Sequence, residues 1–328
     1  MNNLFLYKDN FIKFRDTKSI LQYGDPQKIK DPKFSVIIPV YGHPDFFVYA
    51  FNSVLHQDAD FAYEVIVVDD TPWDGGKSDV LKLIEACQPP NVCYYRNEVN
   101  FGQTGNWNRG IELARAELVT FCHDDDMLYP NCLSELWKLH LKYPGKLVIP
   151  SCRIVDETVC EPKEEYRTPA KKPQSIPYKK IDIFMGNPTN GVGCLFYRSH
   201  LLALGGYNDE YYPSHDNAMH IKYIFEYGAI SYNQILYNYR ITSANISNSV
   251  YPRFISNGLF YADCMLSLLG LPNFIAKMLK HAYKTNITIT MEKVWGKKQV
   301  FSVKPSLSDR IVNRCMWLRA IYIRLSLL

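Results

Sequence analysis

The sequence lacks the features of an exported or membrane-spanning protein. No run of apolar residues approaches the about 18 uncharged positions of a spanning helix, and the N-terminus has no basic segment ahead of a long apolar one. The nine cysteines are odd in number and form no C-x-x-C pair, which argues against a disulfide framework and against a zinc site. We therefore expect a cytoplasmic protein with reduced thiols.

The glycine-rich and nucleophile loops of several common enzyme classes are also missing. The chain has no G-x-x-x-x-G-K-[ST] loop and no G-x-S-x-G elbow, and Gly191-Val192-Gly193 stops short of a complete G-x-G-x-x-G loop. Kinase, hydrolase and dehydrogenase interpretations therefore lose their main support.

The first half of the chain alternates strand-like runs with segments of helical length. This pattern predicts an α/β protein with a mostly parallel sheet, whose strands would be Phe34–Val40, Tyr63–Val68, Val92–Tyr95 and Leu118–Cys122. Polar residues follow each strand in turn: Tyr41, then Asp69 and Asp70, then Asn97 to Asn100, then His123 to Asp126. Because ligands bind outside the carboxyl ends of such strands, this rim is the predicted site.

The group His123, Asp124, Asp125 and Asp126 carries the strongest chemical signal. Its three adjacent carboxylates repel one another unless a hard cation such as Mg²⁺ or Mn²⁺ accepts their oxygens. The alternative is a polar turn before a helix that begins near Pro130, with Asp126 or Asn131 as its N-cap. We favour the metal site, because the other strand ends are polar as well.

A nucleotide diphosphate with a metal ion suits such a rim. A carboxylate such as Asp70 accepts hydrogen bonds from a base N–H or a ribose hydroxyl. Phosphates beside an acidic group need a divalent cation to bridge the like charges. The residues alone leave open whether the rim catalyses a reaction or only binds a ligand.

Between Phe34 and about residue 250 the sequence resembles family 2 glycosyltransferases, most closely in their nucleotide-diphospho-sugar transferase domain. The matching pieces occur in the family's order: Val36–Tyr41, Ser53–Gln57, Glu64–Asp70, Asn100–Gly110, the acidic group with Pro130, Gly205–Glu210, His215-Asp216, and Tyr239-Arg240 with Ser243–Ser247. The resemblance implies the GT-A fold, a Rossmann-like, mostly parallel central sheet flanked by helices. It also implies an inverting sugar transfer of the bacterial surface-polysaccharide type.

The resemblance further implies which residues bind the donor. The implied donor-binding residues are Pro39, Val40, Tyr41, Asp70, Gly102, Asn108, His123 and Asp124. The first three would line the base, Asp70 would accept from the base or ribose, and Gly102 with Asn108 would shape the loop and helix under the donor.

The implied metal ligands lie in the acidic group. Asp125 best matches the metal-binding Asp of the family's D-x-D motif, with Asp124 and Asp126 as further ligands. His123 stands where the first Asp of that motif usually lies, and Trp107 stands where many relatives have Arg. The implied cofactor is Mn²⁺ or Mg²⁺, and the implied donor is a nucleotide sugar, most simply a UDP-sugar.

Asp216 matches the catalytic base of the family. Inverting transfer is a single displacement, so one carboxylate must take the proton of the acceptor hydroxyl. The alternative is that His215 and Asp216 are an N-cap pair for a helix over Asn217–Tyr227, and the family context favours the catalytic role.

The C-terminal region carries its own charge. Residues 251–328 hold twelve Lys or Arg and three Asp or Glu, a net +9 in a chain of net +4, so the preceding residues are acidic overall. Between residues 307 and 328, four arginines are mixed with apolar side chains. A helix of this kind fits either an anionic inner leaflet or the protein core, and we leave the two open. The acidic rim argues against nucleic acid as a partner.

We expect an N-terminal extension at 1–33, a GT-A domain at 34–250 and a basic, mainly helical region at 251–328. The donor half would span about 34–130 and the acceptor half about 131–250. The predicted function is a metal-dependent inverting glycosyltransferase on the inner face of the plasma membrane. It would transfer a hexose from UDP to a glycan or a polyprenyl-linked acceptor. The alternatives are a sugar-phosphate nucleotidyltransferase and a non-catalytic glycan- or lipid-binding module.

Overall fold

The computed structural model describes residues 3–42, 44–73, 75–161, 173–185, 191–242, 251–281 and 283–284. Two parts of the sequence predictions lie outside these residues, namely the Ser243–Ser247 segment of the family resemblance and the basic segment at 307–328. Within the described part of the chain, no helix is both long enough and apolar enough to cross a membrane.

The strands and helices alternate through the first half of the chain. The strands are β1 (Ser19–Tyr23), β2 (Phe34–Val40), β3 (Tyr63–Asp69), β4 (Val92–Asn97), β5 (Leu118–Phe121), β6 (Met127–Leu128), β7 (Leu147–Val155), β8 (Ser175–Tyr178), β9 (Phe196–Tyr197) and β10 (Ala229–Arg240). The α-helices include α1 (Pro44–Leu55), α2 (Asp79–Cys87), α3 (Gly102–Leu113), α4 (Cys132–Lys142), α5 (Arg198–Ala203), α6 (His215–Glu226) and α7 (Tyr251–Leu269).

The main sheet has the strand order β1-β4-β3-β2-β5-β9. Strands β4, β3, β2 and β5 pair in parallel, and the antiparallel strands β1 and β9 close the two edges. The central strand β2 is buried at every position, because helices cover both faces of a parallel sheet. The predicted mostly parallel α/β sheet is confirmed.

A second sheet joins the acceptor half to the acidic group. Its order is β6-β10-β7, and β8 also pairs with β10. Strand β6 follows directly after the acidic group, and its Met127 pairs with Asn238 of β10. The end of β10 therefore lies beside the acidic residues, although it is remote from them in sequence.

Hydrophobic residues fill both faces of the main sheet. Ile38 of β2 belongs to the cluster that includes Phe47 of α1 and Leu81 of α2. Ile37, which points to the other face, belongs to the cluster that includes Ile221 of α6 and Tyr261 of α7. Leu4 and Phe11, which precede the first strand, are buried in this second cluster.

One helix start differs from the sequence expectation. Helix α6 begins at His215, two positions before the predicted start at Asn217. Helix α4 begins at Cys132, so Asn131, one of the two predicted caps, lies at the N-cap position, although its side chain makes no capping bond. Asp126 does not cap α4 either, because it is fully buried and accepts a hydrogen bond from the backbone of Arg240. The predicted N-cap role of Asp126 is therefore wrong, whereas Asn131 occupies the predicted position.

Candidate active site

The carboxyl ends of the parallel strands bring the predicted polar residues together. Because β2 lies between β3 and β5, the residues that follow these three strands are neighbours. The backbone N–H of Tyr41, after β2, donates to Oδ2 of Asp124, after β5, over 3.1 Å. The N–H of Asp70, after β3, donates to the carbonyl of Val40 over 3.0 Å. Hydrogen bonds thus join the segments that follow β2, β3 and β5.

Tyr41 is the exposed residue among the three that were predicted to line the nucleotide base. Pro39 and Val40 are buried within β2, whereas Tyr41 is 53% exposed. An exposed aromatic ring beside a strand end offers a flat face on which a nucleotide base can stack. Pro39 and Val40 fix the position of that ring without presenting a surface of their own.

Asp70 is used by the protein itself. Its Oδ1 accepts from Asn97 Nδ2 at 2.8 Å and from the N–H of Phe101 at 2.7 Å, and its Oδ2 accepts from the N–H of Gly102 at 2.9 Å. Burial raises the pKa of Asp70 to about 6, although these hydrogen bonds oppose the change. Gly102 begins α3 at a φ of +73°, a conformation that favours glycine. The observed role of Asp70 is therefore to shape the loop before α3.

Asn108 has a comparable structural role. Its Oδ1 accepts from the N–H of Tyr207 at 2.8 Å, and its Nδ2 donates to the carbonyl of Tyr207 at 2.9 Å. The oxygen and the nitrogen of the side-chain amide thus both bind Tyr207, in the segment that leads to Asp216. This reciprocal pair fixes the acceptor half against α3.

The acidic group separates into two parts. One ligand atom each from His123, Asp125 and Asp126 lies within 4.8 Å of the others, whereas Asp124 accepts the hydrogen bond from Tyr41. The structure therefore groups His123 with Asp125 and Asp126, and it does not bring Asp124 into that set. Oδ2 of Asp126 is buried with no hydrogen-bond partner among the described residues and lies 3.5 Å from Nδ1 of His123.

The charges in this group favour a bound cation. Burial first, and then the carboxylates of Asp126 and Asp124, raise the pKa of Asp125 well above its ordinary value. Burial would lower the pKa of His123, but its contact with Asp126 and the nearby carboxylates raise that pKa overall. Two carboxylates and one imidazole are a donor set that suits Mn²⁺, and Mg²⁺ fits the carboxylates. The residues present therefore fit a divalent metal ion.

Arg240, the last residue of β10, binds the acidic group. Its N–H donates to Oδ1 of Asp126 at 2.8 Å, its Nε donates to the carbonyl of Asp125 at 2.7 Å, and its Nη1 donates to the carbonyl of Asp156 at 3.0 Å. The guanidinium also lies over the ring of Phe46, 4.7 Å from its centroid. Arg240 was part of the family resemblance, but nothing local in the sequence predicted this contact.

Trp107 connects the acidic group to the predicted base. Its ring lies 5.1 Å from that of His123 and nearly parallel to it, at 17°. It also contacts His215, with ring centroids 4.8 Å apart, and the edge of Tyr207 at 4.9 Å. Trp107 is 5% exposed, so it forms a buried floor between the two halves of the site.

Asp216 lies in the first turn of α6, next to His215. Ser214 is the residue before the helix, so Asp216 is not the N-cap of α6. Oδ1 of Asp216 accepts a hydrogen bond from the N–H of Asn217 at 2.7 Å. Burial raises the pKa of Asp216 to about 6. Burial also lowers the pKa of His215 to about 3, so this imidazole is neutral at pH 7. Asp216 is therefore a carboxylate at neutral pH and more basic than an exposed one.

Taken together, the fold and these side chains define a protein class. An acidic turn and an exposed aromatic residue lie at the carboxyl ends of the strands of a parallel α/β sheet, where ligands bind in such folds. The family described as Glycosyl transferase family 2 matches residues 35–200, half of the chain. The chain therefore belongs to glycosyl transferase family 2, and the predicted family is confirmed.

Two relatives of known name match parts of the chain. The chain is 31% identical over 145 residues to the putative colanic acid biosynthesis glycosyl transferase WcaA of Escherichia coli (strain K12). This match covers 44% of this chain and 48% of that protein. The chain is 37% identical over 107 residues to the GalNAc(5)-diNAcBac-PP-undecaprenol beta-1,3-glucosyltransferase of Campylobacter jejuni. This match covers 32% of this chain and 33% of that protein. The chain thus spans less than half the length of these relatives.

Solved structures share the fold over most of the chain. The structure of S. aureus TarS residues 1–349 in complex with UDP-GlcNAc superimposes with a TM-score of 0.59 and 17% identity. The match covers 88% of this chain and 79% of that one. The predicted GT-A fold is confirmed.

Proposed function

We propose that the protein is an inverting glycosyltransferase that moves one sugar from a nucleotide-diphosphate donor, a UDP-hexose, onto a glycan or lipid-linked glycan. The single observation that supports this best is the contact of Trp107 with both His123 and His215, because it joins the acidic turn to the helix turn that carries Asp216. A donor-binding group and a basic carboxylate are thus two parts of one site.

The donor half would bind the nucleotide through its open residues. Tyr41 would stack on the base, and the loop that Asp70 holds would approach the ribose. Asp70 retains one of its acceptor positions beyond the three hydrogen bonds that it receives, so a single contact to the donor remains compatible with its structural role.

His123, Asp125 and Asp126 would hold Mn²⁺ or Mg²⁺ beside the diphosphate. The bound ion would supply positive charge to the departing diphosphate. Arg240 keeps the backbone of Asp125 and the carboxylate of Asp126 in place, so the ligand set is fixed before any donor arrives. Asp124 would stay with Tyr41 and orient the base-binding residue.

Asp216 would take the proton of the acceptor. As the acceptor hydroxyl oxygen forms its bond to the anomeric carbon, the proton passes to the Asp216 carboxylate. The bond between the anomeric carbon and the diphosphate oxygen breaks on the opposite face, which inverts the configuration and releases the nucleoside diphosphate. Because the pKa of Asp216 is about 6, the carboxylate is ionised at pH 7 and still a better proton acceptor than an exposed Asp.

The names of the relatives support a cell-surface glycan as the acceptor. One relative is named for colanic acid biosynthesis and another for an undecaprenol diphosphate-linked oligosaccharide. Residues 251–328 carry a net +9, which would attract the protein to an anionic membrane that holds such acceptors. We accordingly propose action in surface-polysaccharide synthesis at the inner face of the plasma membrane.

Nucleotide binding and transfer test this proposal together. Calorimetry with UDP, with Mn²⁺ or in excess chelator, should give metal-dependent binding that Asp125→Ala weakens and that the exposed-site control Asp60→Ala leaves unchanged. A panel of nucleotide sugars with polyprenyl-linked oligosaccharide should then give turnover with one donor. UDP binding without turnover on any donor or acceptor would indicate a binding module instead, and equal affinity in chelator would refute the metal assignment.

A further inference from the structure

The segment before the first strand contacts the part of the molecule that carries Asp216. Residues 8–14, which we call the N-terminal brace, lie outside the stretch matched by the family, 35–200. Phe11 of the brace is buried in the same core cluster as Trp107 and Tyr207. A segment that the family match does not include therefore packs against the candidate active site.

Residues 205–214 lead to Asp216, the proposed catalytic base, and we call them the base loop. The brace contacts the start of this loop. The backbone N–H and the Nδ2 of Asn10 both donate to the carbonyl of Gly205, over 2.9 and 2.8 Å. Gly205 has a φ of +80°, and a Cβ there would lie 1.9 Å from the carbonyl oxygen of Lys8. A Cβ at Gly206 would lie 2.8 Å from the ring of Phe11. Gly205 thus permits a backbone approach that a side chain would block, and Gly206 leaves room for the side chain of Phe11.

Two ion pairs extend this contact along the base loop. Nζ of Lys13 lies 2.6 Å from Oδ2 of Asp209, and Nζ of Lys8 lies 2.9 Å from Oε1 of Glu210. These side chains are about half exposed, so each pair contributes little to the free energy of folding. They add to the two bonds from Asn10, so three residues of the brace bind the base loop.

The base loop transmits its position to the site. Tyr207 is held by Asn108 and packs its ring edge against Trp107, and the loop then continues through Ser214 into α6 and Asp216. From the other side, Nδ2 of Asn257 in α7 donates to the carbonyl of Tyr211 at 2.8 Å. The loop is therefore held at both ends of its path.

The brace also contacts the donor half. The ring of Phe14 stacks on that of Phe101, with centroids 4.2 Å apart and planes within 9°. Nη2 of Arg109 in α3 donates to the carbonyls of Phe14 and Thr17, over 2.7 and 2.9 Å. Phe101 in turn donates its N–H to Asp70, so the brace reaches the loop that precedes α3.

We propose that the N-terminal brace is a positioning element that sets Asp216 relative to the bound donor. This inference rests on the proposed function, because it takes Asp216 to be the base. The brace contacts the donor half through Phe14, whereas the side chains of Lys8, Asn10 and Lys13 bond to the base loop. Removal of these three side chains should therefore slow the chemical step without weakening nucleotide binding. A misplacement of about 1 Å far from the reacting atoms costs up to about 10²-fold in rate.

The test removes the side-chain contacts of the brace and keeps its buried residues. The first variant is the triple substitution Lys8→Ala/Asn10→Ala/Lys13→Ala. Its kcat per UDP-binding site should be about tenfold or more below that of the parent, while its Kd for UDP stays within about twofold of the parent value. The matched control Asn3→Ala/Lys28→Ala/Lys30→Ala removes the same residue types from exposed positions that make no contact with the base loop in the structure. The control should keep the parent kcat.

Charge exchange provides a second variant that leaves Asn10 intact. Lys8→Glu places like charges opposite Glu210 and should lower kcat, and adding Glu210→Lys should restore it. Lys8→Arg/Lys13→Arg keeps both ion pairs and should retain the parent kcat.

Several results would overturn the inference. An unchanged kcat with a lower melting temperature would make the brace a stabilising element only. A parallel loss of UDP affinity and kcat would indicate general damage to the site. Asp216→Asn is measured alongside: if it keeps the parent turnover, the proposed base fails, and this inference fails with it. If Asp216→Asn is inactive and the brace variants are fully active, the inference alone is refuted.

Discussion

Replacement of Asp216 by Asn should separate stability from catalysis. The change keeps the shape of the side chain and an oxygen that accepts from the N–H of Asn217, but it removes the negative charge and the proton acceptor. If Asp216 is the base, turnover should fall by a factor on the order of 10²–10⁴ while UDP affinity stays near the parent value.

The buried charge gives the expected change in stability. The pKa of Asp216 rises from 3.8 to about 6 because of burial, and at about 1.4 kcal/mol per pKa unit the ionised form costs the folded state up to about 3 kcal/mol. Since the folded pKa is raised, this cost is absent below about pH 4, grows between pH 4 and 6, and is complete above pH 6. Asp216→Asn should therefore be more stable than the parent by about 1–3 kcal/mol at pH 8, with no gain at pH 4.

The assay compares three measurements on one preparation. Chemical denaturation at pH 4 and pH 8 gives the free energy of unfolding, calorimetry gives UDP affinity, and a transfer assay gives turnover. Asn217→Ala, which alters the neighbouring side chain and keeps the backbone donor, serves as a control for local disturbance. Near-parental turnover in Asp216→Asn would refute the catalytic role, and a loss of stability at pH 8 would refute the buried charge.

Other predictions follow from the same geometry. Turnover of the parent enzyme should decline as the pH falls through about 6, because Asp216 then becomes protonated, and a pH–rate profile of kcat at saturating donor measures this. Arg240→Met should lower stability by about 1–3 kcal/mol and weaken Mn²⁺-dependent UDP binding, because it removes the guanidinium donors from the carbonyls of Asp125 and Asp156 while the backbone N–H still donates to Asp126; unchanged melting and binding would contradict that role. Gly205→Ala should destabilise the fold, since its Cβ would clash with the backbone at Lys8, and a thermal melt with retained midpoint would contradict the close approach. Deletion of residues 307–328 should reduce binding to anionic vesicles in a salt-dependent way, whereas early melting of the truncated protein would indicate a core helix.

The local sequence determined the sheet and the rim. The runs at β2, β3, β4 and β5 are mostly apolar because parallel strands are buried on both faces, and each was predicted within two residues of its observed end. The polar residues after these runs had to share one edge, because parallel strands end on the same side of a sheet. The acidic group was visible for the same reason: charges that follow a buried strand are conspicuous in the sequence.

Only the tertiary structure decided how these residues divide their roles. His123 lies with Asp125 and Asp126, whereas Asp124 bonds to Tyr41. The pairing of β6 with β10 places Asp126 beside Arg240, which is 114 residues away in the sequence. Contacts over such distances depend on packing between elements, and no local periodicity records them. The same reason applies to Trp107, whose contacts with His123 and His215 arise from the packing of α3 between the two halves of the site. It applies equally to Asn10 and Gly205, whose pairing rests on a backbone approach that appears only when the chain is folded.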